Sequence, residues 1–113
     1  MSGMRYFDSG LEVKGGCNHE FIRGKWDGKT YWSDHSLILD DDILNELDVA
    51  GLFYSVVPTY DPYGPTEFTV EQWNVIRDKA ADASGELELL IKELDDWLGD
   101  LPDTGIAFTS LGV

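Results

Sequence analysis

The clearest hydrophobic pattern in the chain lies in residues 68–100. Apolar residues recur there at steps of three and four, the spacing of one helix face, and acidic residues fill the positions between them. Thr69 and Gln72 form a capping box that begins a first helix, and the pattern is interrupted at Ser84. We therefore predict two helices, the second of which Ser84 can cap and Gly99 ends. The alternative is a single long helix through Gly85, which would cost about 1 kcal/mol at that glycine relative to alanine.

Strand patterns occupy the first part of the chain. Residues 5–13 read as two short apolar runs joined by turn residues, which predicts a hairpin. A second hairpin is predicted where residues 21–26 and 29–32 flank Asp27-Gly28, a dipeptide typical of the two-residue type I′ turn. Residues 37–39 are apolar and predict a further strand.

The middle and the end of the chain alternate between helix and strand signals. Acidic residues at the start of 40–48 can cap a short helix, and Gly51 is placed where a left-handed cap would end it. The apolar, β-branched run 52–57 predicts a buried strand. The proline-rich residues 58–68 predict a surface loop of defined shape, and the apolar tail 105–113 predicts a last strand.

Together these elements predict an α+β fold: an antiparallel sheet of four to six strands with a C-terminal helical pair packed on one face. Hairpin connections argue against a parallel arrangement, which needs helix-length crossovers. Trp73 and Trp97 lie on the helical stripes and are expected in the core. We expect one domain spanning residues 1–113, a usual size for a single domain.

Charge is distributed unevenly along the sequence. The chain has 22 acidic and 8 basic residues, a formal net charge of −14. Residues 1–33 are close to neutral, whereas residues 34–113 carry almost all of the excess acid. Such a charge favours a positively charged partner and argues against nucleic-acid binding, which needs lysine and arginine to neutralise phosphates.

Other features bear on the compartment. Cys17 is the single cysteine, so no intramolecular disulfide can form, and a reducing compartment fits best. The N-terminus has no signal-peptide pattern, and no run of 18 apolar residues occurs. These observations predict a cytoplasmic protein without a membrane partner.

Candidate catalytic and metal-binding residues are few. Cys17, His19 and His35 lack the spacing of a zinc site, and nothing in the sequence activates the thiol. Residues 40–42 lack the calcium-loop pattern, and the adjacent carboxylates 95–96 point about 100° apart on a helix. With no nucleophile elbow, phosphate loop or dinucleotide motif, we expect neither an enzyme nor a cofactor.

A binding surface is the better-supported hypothesis. Tyr60 and Tyr63 flank Asp61 in the proline-stiffened loop, a composition typical of binding hot spots. The alternative is that these tyrosines fasten the loop to the sheet. The candidate partner-binding residues are Asp40, Asp41, Asp42, Glu46, Asp48, Tyr60, Asp61 and Tyr63. The carboxylates of the helical pair are expected to form its solvated back and to attract a partner at long range, although contact there stays open.

In overall character the chain resembles a known group of proteins. The resemblance spans the chain and is most noticeable at the helix start 69–73, the helix end 94–98 and the closing segment 108–113, although these form no specific signature. With its acidity, single cysteine and aromatic-rich strands, the chain resembles the small immunity proteins of bacterial contact-dependent and polymorphic toxin systems. The resemblance implies binding to a cognate protein toxin, expected to be a nuclease, whose basic active site an acidic surface would cover.

Two other functions remain open from the sequence. An inhibitor that mimics DNA would carry regularly spaced carboxylates on a flat face and would compete with DNA itself. A small ligand-binding domain would have a concave pocket with perturbed titratable groups near His19 or His35. The strand order and the oligomeric state are not fixed by these patterns.

Overall fold

A computed structural model of the chain describes residues 5–10, 17–29 and 36–112. Nine elements follow one another within these residues: β1 (Phe7–Ser9), β2 (Asn18–Arg23), β3 (Ser36–Asp40), α1 (Asp41–Glu46), α2 (Val49–Val56), β4 (Thr66–Thr69), α3 (Val70–Ala83), α4 (Gly85–Leu98) and β5 (Ile106–Gly112). The described part is therefore an α+β fold, as predicted from the sequence.

The strands form one antiparallel sheet in the order β1-β3-β2-β5-β4. Side chains alternate between the two faces of a strand, and one face carries large apolar cross-strand pairs. These pairs are Phe7 opposite Leu39, Phe21 opposite Leu37 and Phe68 opposite Phe108. The predicted last strand is confirmed as β5, which lies inside the sheet between β2 and β4.

The helices bury their apolar residues against this face in one continuous core. Phe108 is central to it: its ring stacks on Phe68 at 4.5 Å between centroids and meets the edge of Trp73 at 5.2 Å. Trp73 is fully buried as predicted, whereas Trp97 is half-buried at the edge of the core. Within the described ranges, none of the helices combines the length and the hydrophobicity that crossing a membrane requires.

The predicted helical pair is confirmed as α3 and α4, which pack against each other. The Thr69 hydroxyl accepts from the Gln72 backbone N–H at 3.1 Å, and the Gln72 side chain accepts from the Thr69 N–H at 2.9 Å, so the capping box is also confirmed. Ser84 separates the helices at a φ of 54°, but its side chain makes no capping hydrogen bond. The predicted Ser84 cap is therefore wrong, because backbone conformation alone makes the break.

The largest error in the sequence-based prediction concerns the predicted strand 52–57, because residues 52–56 are helical rather than extended. Helix α2 buries Val49, Leu52 and Phe53, which have helical spacing and face the core. Gly51 consequently lies inside this helix and does not cap α1. The break between α1 and α2 instead falls at Asp48, which adopts a left-handed conformation with a φ of 54°.

Other predictions were partly right. The predicted loop 58–68 ends in an additional strand, because Thr66–Thr69 pairs with β5. Strand β1 pairs with β3, and the second half of its predicted hairpin, residues 11–13, lies outside the described residues. The type I′ turn at residues 27–28 is wrong, because among the described non-glycine residues only Asp48 and Ser84 have positive φ. Residues 30–32, which belong to the predicted second strand of this hairpin, also lie outside the described residues.

Candidate partner-binding surface

The sheet register brings most of the predicted binding residues to one end of the sheet. Asn18 at the start of β2 is opposite Asp40 at the end of β3, and Glu20 is opposite Gly112 at the end of β5. Strand β4 begins at the same end, opposite Ser110. Helix α1, which continues from β3, and the loop that precedes β4 therefore both lie at this end.

Helix α1 and the residues that flank it present a group of carboxylates, and those at its N-terminus stabilise the start of the helix. The Asp40 side chain accepts from the Asp42 backbone N–H at 2.7 Å, and acidic residues in a first turn are stabilised by the helix dipole. The prediction that an acidic residue caps this helix is thereby confirmed, and the cap is Asp40. Asp40, Asp42, Glu46 and Asp48 are all exposed, and none of them forms an ion pair with another described residue.

Asp41 has a different position, because its side chain is turned towards the sheet. One carboxylate oxygen lies 2.7 Å from Nε2 of the fully buried His19, and the other accepts from Asn45 at 3.1 Å. The Asp41 backbone N–H also donates to the Cys17 carbonyl at 3.0 Å. Asp41 therefore fastens α1 to β2, and its carboxylate is already engaged within the protein.

Tyr60 joins the loop to the helices and is only 3% exposed. Its ring packs edge-on against Phe53 and Tyr54, at centroid distances of 5.3 and 5.2 Å. Burial raises the pKa of the Tyr60 hydroxyl well above its ordinary value, and the nearby Tyr54, Asp41 and Asp61 raise this pKa further. Tyr60 thus fastens the loop to the core, the alternative left open by the sequence, and is not presented to a partner.

The loop after Tyr60 holds its exposed residues on a fixed backbone. The Asp61 carboxylate accepts from the Tyr63 N–H at 2.9 Å, and the Asp61 N–H donates to the Thr66 hydroxyl at 3.0 Å. Gly112, at a φ of 77°, lets this loop lie close to β5, since a Cβ there would stand 2.7 Å from the Gly64 nitrogen. The Tyr63 side chain is 79% exposed above this rigid turn.

Tyr54 belongs to the same surface but was missed by the sequence analysis. It is 45% exposed on α2 and contacts Tyr60. The prediction of a buried strand over residues 52–57 hid this position. The helical spacing of Val49, Leu52 and Phe53 is the signal that would have revealed it, because Tyr54 falls off that stripe.

We call the surface at this end of the sheet the acidic end. Its members are Asp40, Asp42, Glu46, Asp48, Tyr54, Asp61 and Tyr63. Uncompensated carboxylates beside exposed aromatic side chains can bind a cationic surface by charge and by contact area.

The residues considered for a metal site or a reactive thiol differ in their environments. Cys17 is exposed and His19 is buried, while His35 lies outside the described residues. In the part of the chain that the structure describes, no three histidine, cysteine or acidic side chains are grouped as metal ligands would be.

Fold and surface together define a small, strongly acidic α+β domain with an antiparallel sheet and one acidic end. Comparisons with protein-family models, curated proteins and solved structures found no match.

Proposed function

We propose that this protein is an immunity protein that binds and neutralises a cognate bacterial toxin, a nuclease, by covering its basic active site with the acidic end. The observation that carries the proposal is the group of exposed carboxylates on α1 and the Tyr60–Gly64 loop that have no cationic partner among the described residues. In a chain of net charge −14, this arrangement favours a strongly positive partner.

Electrostatic attraction would speed the association of such an inhibitor with its toxin. A nuclease active site is positively charged because it holds the phosphates of its substrate. Carboxylates of an inhibitor can occupy the places of those phosphates. Charge complementarity of this kind raises association rates by about 10- to 1,000-fold over the neutral case. Rapid association suits an inhibitor that must stop a toxin before it acts.

The aromatic residues supply contact area. Tyr63 is almost fully exposed, although the hydrogen bonds of Asp61 and the close approach to Gly112 fix its backbone. Tyrosine has few rotatable bonds, so binding through it loses little conformational entropy. Tyr54 and Tyr63 are therefore the side chains expected to anchor the complex.

The direct test is neutralisation of a toxin encoded beside this chain. The neighbouring gene product is expressed with and without this protein, and growth and nucleic-acid cleavage are measured. We expect restored growth and loss of cleavage in the presence of this protein. Persistent toxicity with both proteins present in soluble form, or a neighbouring product that is not toxic, would contradict the proposed function.

Charge reversal tests the surface within that complex. Asp42→Lys with Glu46→Lys changes exposed side chains that form no ion pair with another described residue, whereas Asp40 caps α1 and Asp41 holds His19. The matched control is Asp78→Lys with Asp82→Lys on α3, which changes the net charge equally. We expect the first pair to slow association about tenfold more than the control and to flatten its salt dependence.

Two results would contradict this proposal, the first its contact surface and the second its function. Equal slowing by both pairs of substitutions would show that only the total charge matters. Competition between this protein and duplex DNA for a DNA-binding partner without nuclease activity would favour the DNA-mimic function instead.

A further inference from the structure

A concave site lies between α4 and the segment that leads into β1. Its volume is about 470 Å³, within the range of small-molecule sites. Arg5, Tyr6, Leu89, Lys92, Asp96 and Trp97 line it, and Glu93 lies beneath the segment. We call it the α4 groove.

The apolar part of the α4 groove is held in place. Leu89 is 47% exposed there, although a large aliphatic side chain is normally buried. The Arg23 guanidinium stacks on the Trp97 ring at 4.2 Å and donates to the Trp97 carbonyl at 2.8 and 3.0 Å. The Tyr6 hydroxyl donates to Glu86 at 3.3 Å. Two oriented aromatic rings and an exposed leucine thus form the walls.

Most charges around the groove are already compensated. Glu93 accepts three consecutive backbone N–H groups, from Arg5 at 2.8 Å, Tyr6 at 2.9 Å and Phe7 at 3.0 Å. Glu86 is paired with the Arg5 guanidinium at 3.3 Å. Neither carboxylate is therefore available to balance an incoming charge.

Lys92 and Asp96 are the lining charges that remain. Both are exposed, and neither forms an ion pair or a hydrogen bond with the other residues that the structure describes. They are four residues apart on α4, which separates them by about 6 Å along the helix axis. The groove therefore offers one positive and one negative group beside an apolar wall.

We propose that the α4 groove binds a free amino acid with an apolar side chain, whose carboxylate pairs with Lys92 and whose ammonium group pairs with Asp96. The apolar side chain packs on Leu89 between Tyr6 and Trp97. A simple anion would meet Asp96 unfavourably and a simple cation would meet Lys92, whereas a zwitterion satisfies both groups. This site shares no residue with the acidic end, and the proposal does not rest on the toxin-binding function.

The test uses L-phenylalanine and the full-length chain. The four tryptophan indole N–H signals are followed by NMR during titration, and Trp97→Phe identifies the Trp97 signal. We expect a saturable shift of that signal. N-acetyl-L-phenylalanine and L-phenylalanine amide each lack one charge and should bind about tenfold more weakly, the loss of one charge-assisted contact. No saturable shift, or equal affinity for all three compounds, would overturn the proposal.

Substitutions test which lining residue pairs with the carboxylate of the ligand and which pairs with its ammonium group. Lys92→Met should weaken L-phenylalanine binding about tenfold and remove the preference for L-phenylalanine over its amide. Asp96→Asn should weaken binding similarly and remove the preference over the N-acetyl compound. Lys25→Met and Asp82→Asn, exposed controls outside the groove, should leave binding unchanged. Unchanged binding in the first two variants, with native spectra, would refute the assignment.

Discussion

At the scale of single residues, Glu93 shows how one carboxylate on an acidic helix can have a structural role. Its two oxygens accept from the backbone N–H groups of Arg5, Tyr6 and Phe7. A carboxylate that accepts several N–H groups makes stronger hydrogen bonds than a neutral acceptor does. Glu93 therefore attaches the start of β1, an edge strand, to α4.

Removing this carboxylate should destabilise the fold. We expect Glu93→Ala to lower the free energy of unfolding by about 2–3 kcal/mol, because the partly buried N–H groups of Tyr6 and Phe7 lose their acceptor. Glu93→Gln keeps one carbonyl oxygen and should cost about half as much. Urea denaturation measures both. Asp96→Asn, on the same helix, is the control and should change stability by less than about 0.5 kcal/mol. An equal effect of Glu93→Ala and the control would contradict this role.

Gly112 is a second residue whose role depends on its surroundings. Gly112→Ala should destabilise the protein by about 1–3 kcal/mol more than Gly28→Ala. Both glycines have positive φ, 77° and 82°, but a Cβ at Gly112 would collide with the backbone of Pro62 and Gly64, while nothing lies within 4 Å at Gly28. Thermal unfolding of the two variants separates the collision from the backbone strain. Equal losses would show that the loop does not depend on close approach to β5.

At the scale of elements, the break between α3 and α4 is a strained corner. Ser84 has φ 54° and ψ −169°, a region that almost only glycine occupies without strain. We expect Ser84→Gly to stabilise the protein by about 1 kcal/mol, whereas Ser84→Ala keeps the strain and should bring no gain. Calorimetry of the three proteins tests this. A loss of stability in Ser84→Gly would mean that glycine's greater freedom in the unfolded chain outweighs the relieved strain.

Elements also differ in how well their sequence specifies them. The helices α3 and α4 follow from a long stripe of apolar residues and a capping box, which are local signals. Residues 52–57 form a short, apolar, β-branched run, so the local signal favours a strand. Residues 52–56 are nevertheless helical, because the helix buries Leu52 and Phe53 on one side. Strand β4 was missed because its pairing with β5 depends on residues about 40 positions away.

At the scale of the whole molecule, the net charge of −14 affects stability as well as binding. Repulsion among the uncompensated carboxylates opposes the compact state, and salt screens that repulsion. Raising NaCl from about 0.02 M to about 0.5 M should therefore increase the free energy of unfolding by on the order of 1 kcal/mol.

The charge-reversed pair Asp78→Lys with Asp82→Lys provides the comparison for this prediction. Its net charge is less negative, so its stability should rise less steeply with salt. Urea denaturation at several NaCl concentrations measures both slopes. A flat salt dependence in the unmodified protein would mean that the carboxylates are too far apart or too well solvated to repel each other strongly.

The candidate surface could be predicted from the sequence only in part. The acidic cap of α1 was predicted because capping and the helix dipole act within one turn. The sequence could not show that Asp41 is held by His19 or that Tyr60 is buried, because these contacts join residues far apart in the chain. Tyr54 could be assigned to this surface only from the helical structure of α2.

The sequence by itself determined the fold class, the helical pair, the capping box and the concentration of negative charge after residue 33. These features arise from periodicity, local hydrogen bonding and composition, which act over a few residues. The tertiary structure alone decided the strand order, the placement of β5 inside the sheet, and the position of α1 and the Tyr60–Gly64 loop at the same end of the sheet. Long-range register and packing bring those segments together, and no local pattern encodes which partner a strand or loop will meet.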